Sequence, residues 1–338
     1  MINKLSNIIS NNKEEPLKRL RNLVELDLKK VDKLIYGLIE NKISLIPDIS
    51  KHTISSGGKR LRPILTLACS QMAGYSGQAH VGLAACVEFI HTATLLHDDV
   101  VDKSKQRRGA STANSLWGNK ESILVGDYLL AKAFDLMGAA NSLDVYRVLS
   151  NAAVVISEGE VFQLAATGKF ADAENSYIKI ISAKTAELFA ASCEVGGILA
   201  NLGADKNAAL REFGMNLGIA FQIVDDALDY YPKALKLGKD VGDDFRERKV
   251  TLPVIIAFEQ GDKKEKDFWK RTIGKGQQEN GDMENALSLM EKYNVFEAVI
   301  EKAREYTKPA ARGLDLFPDD EIREALIDVL NFTVEREF

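Results

Sequence analysis

The sequence predicts an all-α fold, one core bundle of long helices, and three observations carry that expectation. No segment alternates apolar and polar residues with the period of two that a half-buried strand needs. Apolar side chains instead recur three and four apart through most of the chain, the spacing of one helix face. Alanine and glycine recur inside those stretches (Ala84-Ala85, Ala139-Ala140, Ala190-Ala191, Gly196-Gly197), which lets helix axes approach closely. With 338 residues, 46% of them hydrophobic, the chain can bury a large core as one or two domains. Its net charge of −5 excludes the basic footprint of a nucleic-acid binder.

Residues 1–22 read as a flexible or loosely helical lead and 23–338 as a single helical domain. Met1 to Pro16 is polar and mixed in charge, without the apolar core of a signal peptide. From Leu23 to Ile46 the apolar positions Leu26, Val31, Leu34, Ile35, Leu38 and Ile39 share one helix face, and Pro47 is expected to end that helix. Pro63 opens the next, through Met72, as proline does in a first turn. Helices are expected at 83–102, 122–137, 145–164, 177–202 and 210–229, with Pro232 stopping the last. A polar, glycine-containing loop from Lys233 to Val250 precedes a helix from Leu252 to Glu259. Residues 260–283, charged and glycine-rich, read as an exposed insertion or hinge before two or three closing amphipathic helices. Cys69, Cys86 and Cys193 lie in apolar surroundings without metal-ligand spacing and read as reduced core residues. No run reaches the roughly 18–20 uninterrupted apolar residues of a membrane span, so a soluble, cytoplasmic protein is expected.

Leu96-His97-Asp98-Asp99-Val100-Val101-Asp102 closes an apolar run. On a helix Asp98 and Asp102 stack one turn apart, and His91 lies on nearly the same line two turns earlier. Such buried carboxylates repel one another unless a cation joins them, and Mg²⁺, completed by water and phosphate, suits the pair. Alone, a DDxxD is often only a solvated acidic face, and a histidine like His91 often only a core residue. The second copy, Phe221-Gln222-Ile223-Val224-Asp225-Asp226-Ala227-Leu228-Asp229, weighs against that. Two such motifs, each closing an apolar helix, suggest two walls of one cavity with several divalent ions at its mouth.

Cations flank both motifs. Gly57-Gly58-Lys59-Arg60-Leu61-Arg62 joins two glycines to three cations, and bare backbone N–H groups there can approach an anion. Arg107-Arg108-Gly109 follows the first motif; Lys239, then Arg246, Arg248 and Lys249, follow the second. Any one of these clusters could be solvated surface, but together they suit the oxygens of one or two diphosphates.

At these residues the chain resembles the trans-isoprenyl diphosphate synthases, the polyprenyl synthetase family. The resemblance runs over roughly residues 20–335: GGKRLRP at 57–63, EFIHTATLLHDDVVD at 88–102, RRG at 107–109, KTA at 184–186, FQIVDDALD at 221–229 and GKDVGDD…KVTLP at 238–253. It is nearest the long-chain bacterial members that make octaprenyl, solanesyl or decaprenyl diphosphate for quinone tails. The resemblance implies an isoprenoid-synthase fold with an elongated central cavity and Mg²⁺-dependent condensation of isopentenyl diphosphate onto an allylic diphosphate. It further implies a homodimer and transient membrane contact for product release. The implied metal set is Asp98, Asp99, Asp102, Asp225, Asp226 and Asp229. Arg107, Lys184 and Lys239 would hold the allylic diphosphate. Gly58, Lys59, Arg62, His91 and Arg108 would hold isopentenyl diphosphate, and Phe221 and Lys249 belong to the same substrate surroundings. Thr185 and Gln222 carry neutral oxygens suited to an allylic cation, although ordinary capping would also explain them. Ala93 and Thr94, just before the first motif, would set product length, or else serve only as small packing residues. A short-chain synthase and a non-catalytic partner subunit stay open, though no Asp or Arg of these motifs is missing.

Overall fold

The computed structural model describes residues 15–56, 58–107, 109–231 and 242–335. They are almost wholly helical, and the helices fall where apolar spacing puts them. In order come α1 (Glu15–Leu23), α2 (Glu25–Ile39), α3 (Leu45–Ser55), α4 (Leu61–Met72) and α5 (Ala79–Val101). After a two-residue ribbon, β1 (Gln106–Arg107) and β2 (Ala110–Ser111), follow α6 (Ala113–Trp117), α7 (Asn119–Ala139), α8 (Leu143–Ala166) and α9 (Ala173–Ile181). A π-helical turn, Ser182–Ala186, joins α9 to α10 (Glu187–Leu199), and α11 (Ala204–Asp229) carries the second aspartate motif. The chain closes with α12 (Asp243–Arg246), α13 (Leu252–Gln260), α14 (Lys263–Trp269), a second π turn (Lys270–Gly274), α15 (Asp282–Lys292), α16 (Val295–Gly313) and α17 (Glu321–Glu335). Asn141, Asn201 and Asn294 follow α7, α10 and α15 in the left-handed region, with φ of 51°, 54° and 49°, a conformation that a short polar side chain tolerates.

Four expectations need correction. The helix expected over 23–46 ends at Ile39, and Pro47 lies in the first turn of α3. In that turn the missing N–H has no intrahelical partner to lose, so the proline begins a helix instead of stopping one. Residues 177–202 are not one α-helix, because the π turn interrupts them. The β1–β2 ribbon pairs Gln106 with Ser111 and Arg107 with Ala110, too short for an alternation pattern to show. Residues 260–283 are no exposed insertion. Asp262 and Glu265 cap α14 reciprocally, Trp269 is fully buried, and Ile273 joins the core around Tyr177, Tyr230 and Leu252.

The described residues pack as two compact units whose segments alternate along the chain. The first comprises Met1–Ala153, Leu188–Gly214 and Gly313–Val329; the second comprises Val154–Glu187, Met215–Arg312 and Leu330–Phe338. In the first, α5 is the central helix, packed on α2, α3, α4, α6 and α7. It is long and apolar enough to cross a membrane, with a window of mean hydropathy 1.4, but 72% of that window is buried. Its apolar character thus serves the core. Close approach is visible where α10 meets α4: a Cβ on Gly196 would lie 2.7 Å from the Ser70 nitrogen. The latter part of the N-terminal lead is docked in this unit, with Leu20 fully buried and Arg19 2.8 Å from Glu324 and 2.7 Å from Asp328. The three cysteines are free and buried.

Candidate active site

The first aspartate motif stands at the C-terminal end of α5. Asp102 keeps helical dihedrals and donates its N–H to the Asp98 carbonyl at 2.8 Å. Asp98 and Asp102, both half-buried, are therefore stacked one turn apart. Lys103, at φ 53°, then turns the chain out of the helix. Asp99 lies about 100° round the helix and is buried, 3% exposed. Its Oδ1 accepts from the Arg107 guanidinium at 2.9 Å through both Nε and an Nη. Burial raises the Asp99 pKa and the arginine counters it. Asn114 donates to the carbonyls of Asp99 (3.0 Å) and Ser104 (3.2 Å). His52 Nε2 donates to the Ser111 carbonyl at 2.7 Å, with its ring edge-on to Trp117. The ribbon that carries Arg107 is therefore held from α3, α5 and α6.

The glycine-basic loop divides its cations. Arg60, at φ 55°, turns inward to the Glu88 carboxylate and sits 3.6 Å from Asp32. That side chain serves the fold, which corrects the reading of three cations aimed at anions. Gly58 and Lys59 are exposed. The Arg62 guanidinium lies 4.5 Å over the Phe189 ring, a cation–π contact that orients it. His91 is half-buried on α5, Ala93 is buried, and the Thr94 hydroxyl donates to the His91 carbonyl at 2.8 Å. Gly57 and Arg108 lie outside the described residues.

In the second unit, α11 ends in the other motif. Asp225 is exposed and Asp229 half-buried, one turn apart. Asp229 accepts the backbone N–H groups of Asp243 (3.3 Å) and Asp244 (3.0 Å) at the start of α12. Asp226 is buried, and each of its oxygens takes one neutral donor. The Tyr177 hydroxyl donates to Oδ2 at 2.6 Å and Gln222 Nε2 to Oδ1 at 2.7 Å. Thr185 Oγ1 in turn donates to Gln222 Oε1 at 2.8 Å. Burial pushes Asp226 up to about 7, with the two donors opposing the shift, and burial beside Asp226 raises Asp244 as well.

Lys184 and Thr185 occupy the π turn, a distortion that recurs at functional sites. Gly159 of α8 makes room for it: a Cβ there would meet Ala183 Cβ at 2.8 Å and the Lys184 nitrogen at 3.1 Å. The Lys184 ammonium is 2.6 Å from Glu160. Phe221 and Gln222 are half-buried on α11. Beyond α12, Arg248 is spent on the carbonyls of Ile273 (3.0 Å) and Gly274 (2.5 Å), again a fold role in place of the expected anion role. Lys249 lies 2.5 Å from Glu247, and Arg246 lies 2.5 Å from Asp243. Lys239 lies outside the described residues.

Among the described residues no three His, Cys, Asp or Glu side chains converge on one point. The donors offered are carboxylate pairs one turn apart, hard oxygen ligands that fit a divalent cation taking its remaining ligands from water and phosphate. Sequence reasoning missed Tyr177, Glu160, Glu88 and Phe189. For Tyr177 there was one signal, a hydroxyl kept on an otherwise apolar face.

A model of the polyprenyl synthetase family matches residues 43–290. The chain belongs to the polyprenyl synthetase family. It is 40% identical over 323 residues to octaprenyl diphosphate synthase of Escherichia coli, covering 95% of this chain and 99% of that one. A decaprenyl diphosphate synthase structure from Rhodobacter capsulatus superposes with a TM-score of 0.91 at 50% identity, over 95% and 99% of the two chains. A polyprenyl synthase from Caulobacter crescentus, complexed with calcium and isoprenyl diphosphate, does so at 0.91 and 44% identity, over 95% and 98%. The expected all-α isoprenoid-synthase fold and the prenyltransferase class both hold.

Proposed function

We propose that the chain is a long-chain trans-polyprenyl diphosphate synthase. It joins isopentenyl diphosphate units head-to-tail onto an allylic diphosphate primer to build a quinone side chain. The observation that carries this reading is the carboxylate pair, Asp98 with Asp102 and Asp225 with Asp229, at the end of each motif helix. The octaprenyl and decaprenyl products in the relatives' names favour a long product.

These outer aspartates would hold Mg²⁺, which when bound draws electron density onto the departing diphosphate. Arg107, Lys184 and Lys239 neutralise the same allylic diphosphate as its charge grows. Gly58, Lys59, Arg62, His91 and Arg108 hold isopentenyl diphosphate with its double bond in reach. Thr185 and Gln222 offer neutral oxygens that stabilise an allylic cation without trapping it, near Phe221 and Lys249. The proton shed after each condensation goes to the released diphosphate. A cytoplasmic homodimer that touches the membrane only to deliver product belongs to the same reading.

Product length is set on α5, where Ala93 and Thr94 leave a growing chain unobstructed. The test is incubation with labelled isopentenyl diphosphate, Mg²⁺ and geranyl, farnesyl or geranylgeranyl diphosphate, followed by product sizing. The wild type should give a long polyprenyl diphosphate, and Ala93→Tyr one of about farnesyl or geranylgeranyl length with condensation retained. A full-length product from a folded Ala93→Tyr protein would move the ruler elsewhere.

A further inference from the structure

Tyr177 has no part in the roles above, yet its hydroxyl donates at 2.6 Å to the buried Asp226 of the second motif. We propose that Tyr177 is a positioning residue of the prenyltransferase, acting through Asp226 to fix the amide sense of Gln222 and the direction of the Thr185 hydroxyl. The proposal rests on the roles given to Thr185 and Gln222 under Proposed function, and it assigns Asp226 to orientation in place of metal ligation.

The argument is one of donors and acceptors. Both Asp226 oxygens act as acceptors, one for the Tyr177 hydroxyl at 2.6 Å and the other for the Gln222 amide at 2.7 Å. The Gln222 group that faces Asp226 must therefore be the amide nitrogen. The amide oxygen is then turned to Thr185, 2.8 Å away, and toward that acceptor the hydroxyl must donate. Asp226 thus sets the polarity of the whole row. Tyr177 is 3% exposed and Asp226 7%, so neither is reoriented by bulk water. The row ties α9 to α11 and ends on the π turn, which gives Thr185 a fixed partner where the backbone is irregular.

The decisive variant is Tyr177→Phe, which keeps the buried ring and removes one oxygen. Its kcat should fall about tenfold to hundredfold. The KM values for isopentenyl diphosphate and primer, and the Mg²⁺ concentration for half-maximal activity, should stay within twofold. Asp226→Asn, which keeps an acceptor oxygen for only one of Tyr177 and Gln222, should lose at least as much kcat, and the double variant no more than Asp226→Asn alone. The Gln222 side-chain amide signal, identified by its loss in Gln222→Met, should move in Tyr177→Phe. An unchanged kcat and amide signal in a folded Tyr177→Phe protein would reduce the tyrosine to packing. A raised Mg²⁺ requirement in Asp226→Asn would make Asp226 a metal ligand and overturn the proposal. Absence of condensation in the wild type would instead defeat the synthase reading, and the amide signal would still decide whether the row exists.

Discussion

The two aspartate motifs share a spelling and differ in the partner of their middle residue. In both, the outer aspartates stack one turn apart and the second aspartate of the motif is buried. Asp99 meets a guanidinium, so the cost of burying its charge is offset by a full opposite charge. Asp226 meets a phenol and an amide, which satisfy its oxygens without neutralising it, and its carboxyl is pushed up to about 7. One middle aspartate anchors a cationic loop and the other orients a row of neutral groups. The four-residue spacing decides which two carboxylates face together; the neighbouring elements decide what the third one builds.

The largest effect should come from the shared part. Asp98→Ala and Asp225→Ala should each cut turnover by several orders of magnitude, because on the proposed reading each removes a ligand that the metal-assisted step depends on. Near-normal turnover in either at saturating Mg²⁺ would show that the motifs are not equivalent even at their outer positions. A smaller, opposite-sided effect should separate the middle residues. Asp99→Asn strips Arg107 of its charged partner and should lower unfolding stability by about 2 kcal/mol, the worth of a hydrogen bond to a charged group. Asp226→Asn leaves the same neutral partners, Tyr177 and Gln222, and strands no opposite charge, so it should change stability by well under half of that. Equal losses in thermal or urea unfolding would erase the distinction. The smallest effect lies away from both motifs, as a control on acid sensitivity. Glu265, bound by Lys292 and Tyr293, is held down at about 2 against an ordinary 4.5. Its contribution is therefore complete above pH 4.5 and is lost as pH falls toward 2. Glu265→Gln should be less stable than the wild type at pH 7, with the gap closing between pH 4.5 and 2.

Much of this was legible because the signals were periodic or clustered. Helix faces showed in the three-and-four spacing, and Asp98, Asp102, Asp225 and Asp229 showed in their one-turn separation. What was hidden depended on contacts distant in sequence. Nothing near Arg60 announces that Glu88 and Asp32 take its guanidinium, nor near Arg248 that two carbonyls of a distant turn do. Residues 260–283 misled because charge and glycine describe the outside of α14 and its flanks, while Trp269, Thr272, Ile273 and Asp282 are buried. Pro47 misled because proline has opposite meanings at the first and later turns of a helix.

The π turn at 182–186 has one further consequence. A π turn is an α-helix holding one surplus residue, so the regular helices before and after it stay in phase with each other once that residue is discounted. An unbroken 3.6 period drawn through 177–202 must therefore slip by one position at Lys184 and Thr185, the two residues of this turn that the proposed reaction uses. Losing a single residue there should draw Lys184 and Thr185 into an ordinary helix and carry the Thr185 hydroxyl away from Gln222, from which it now lies 2.8 Å.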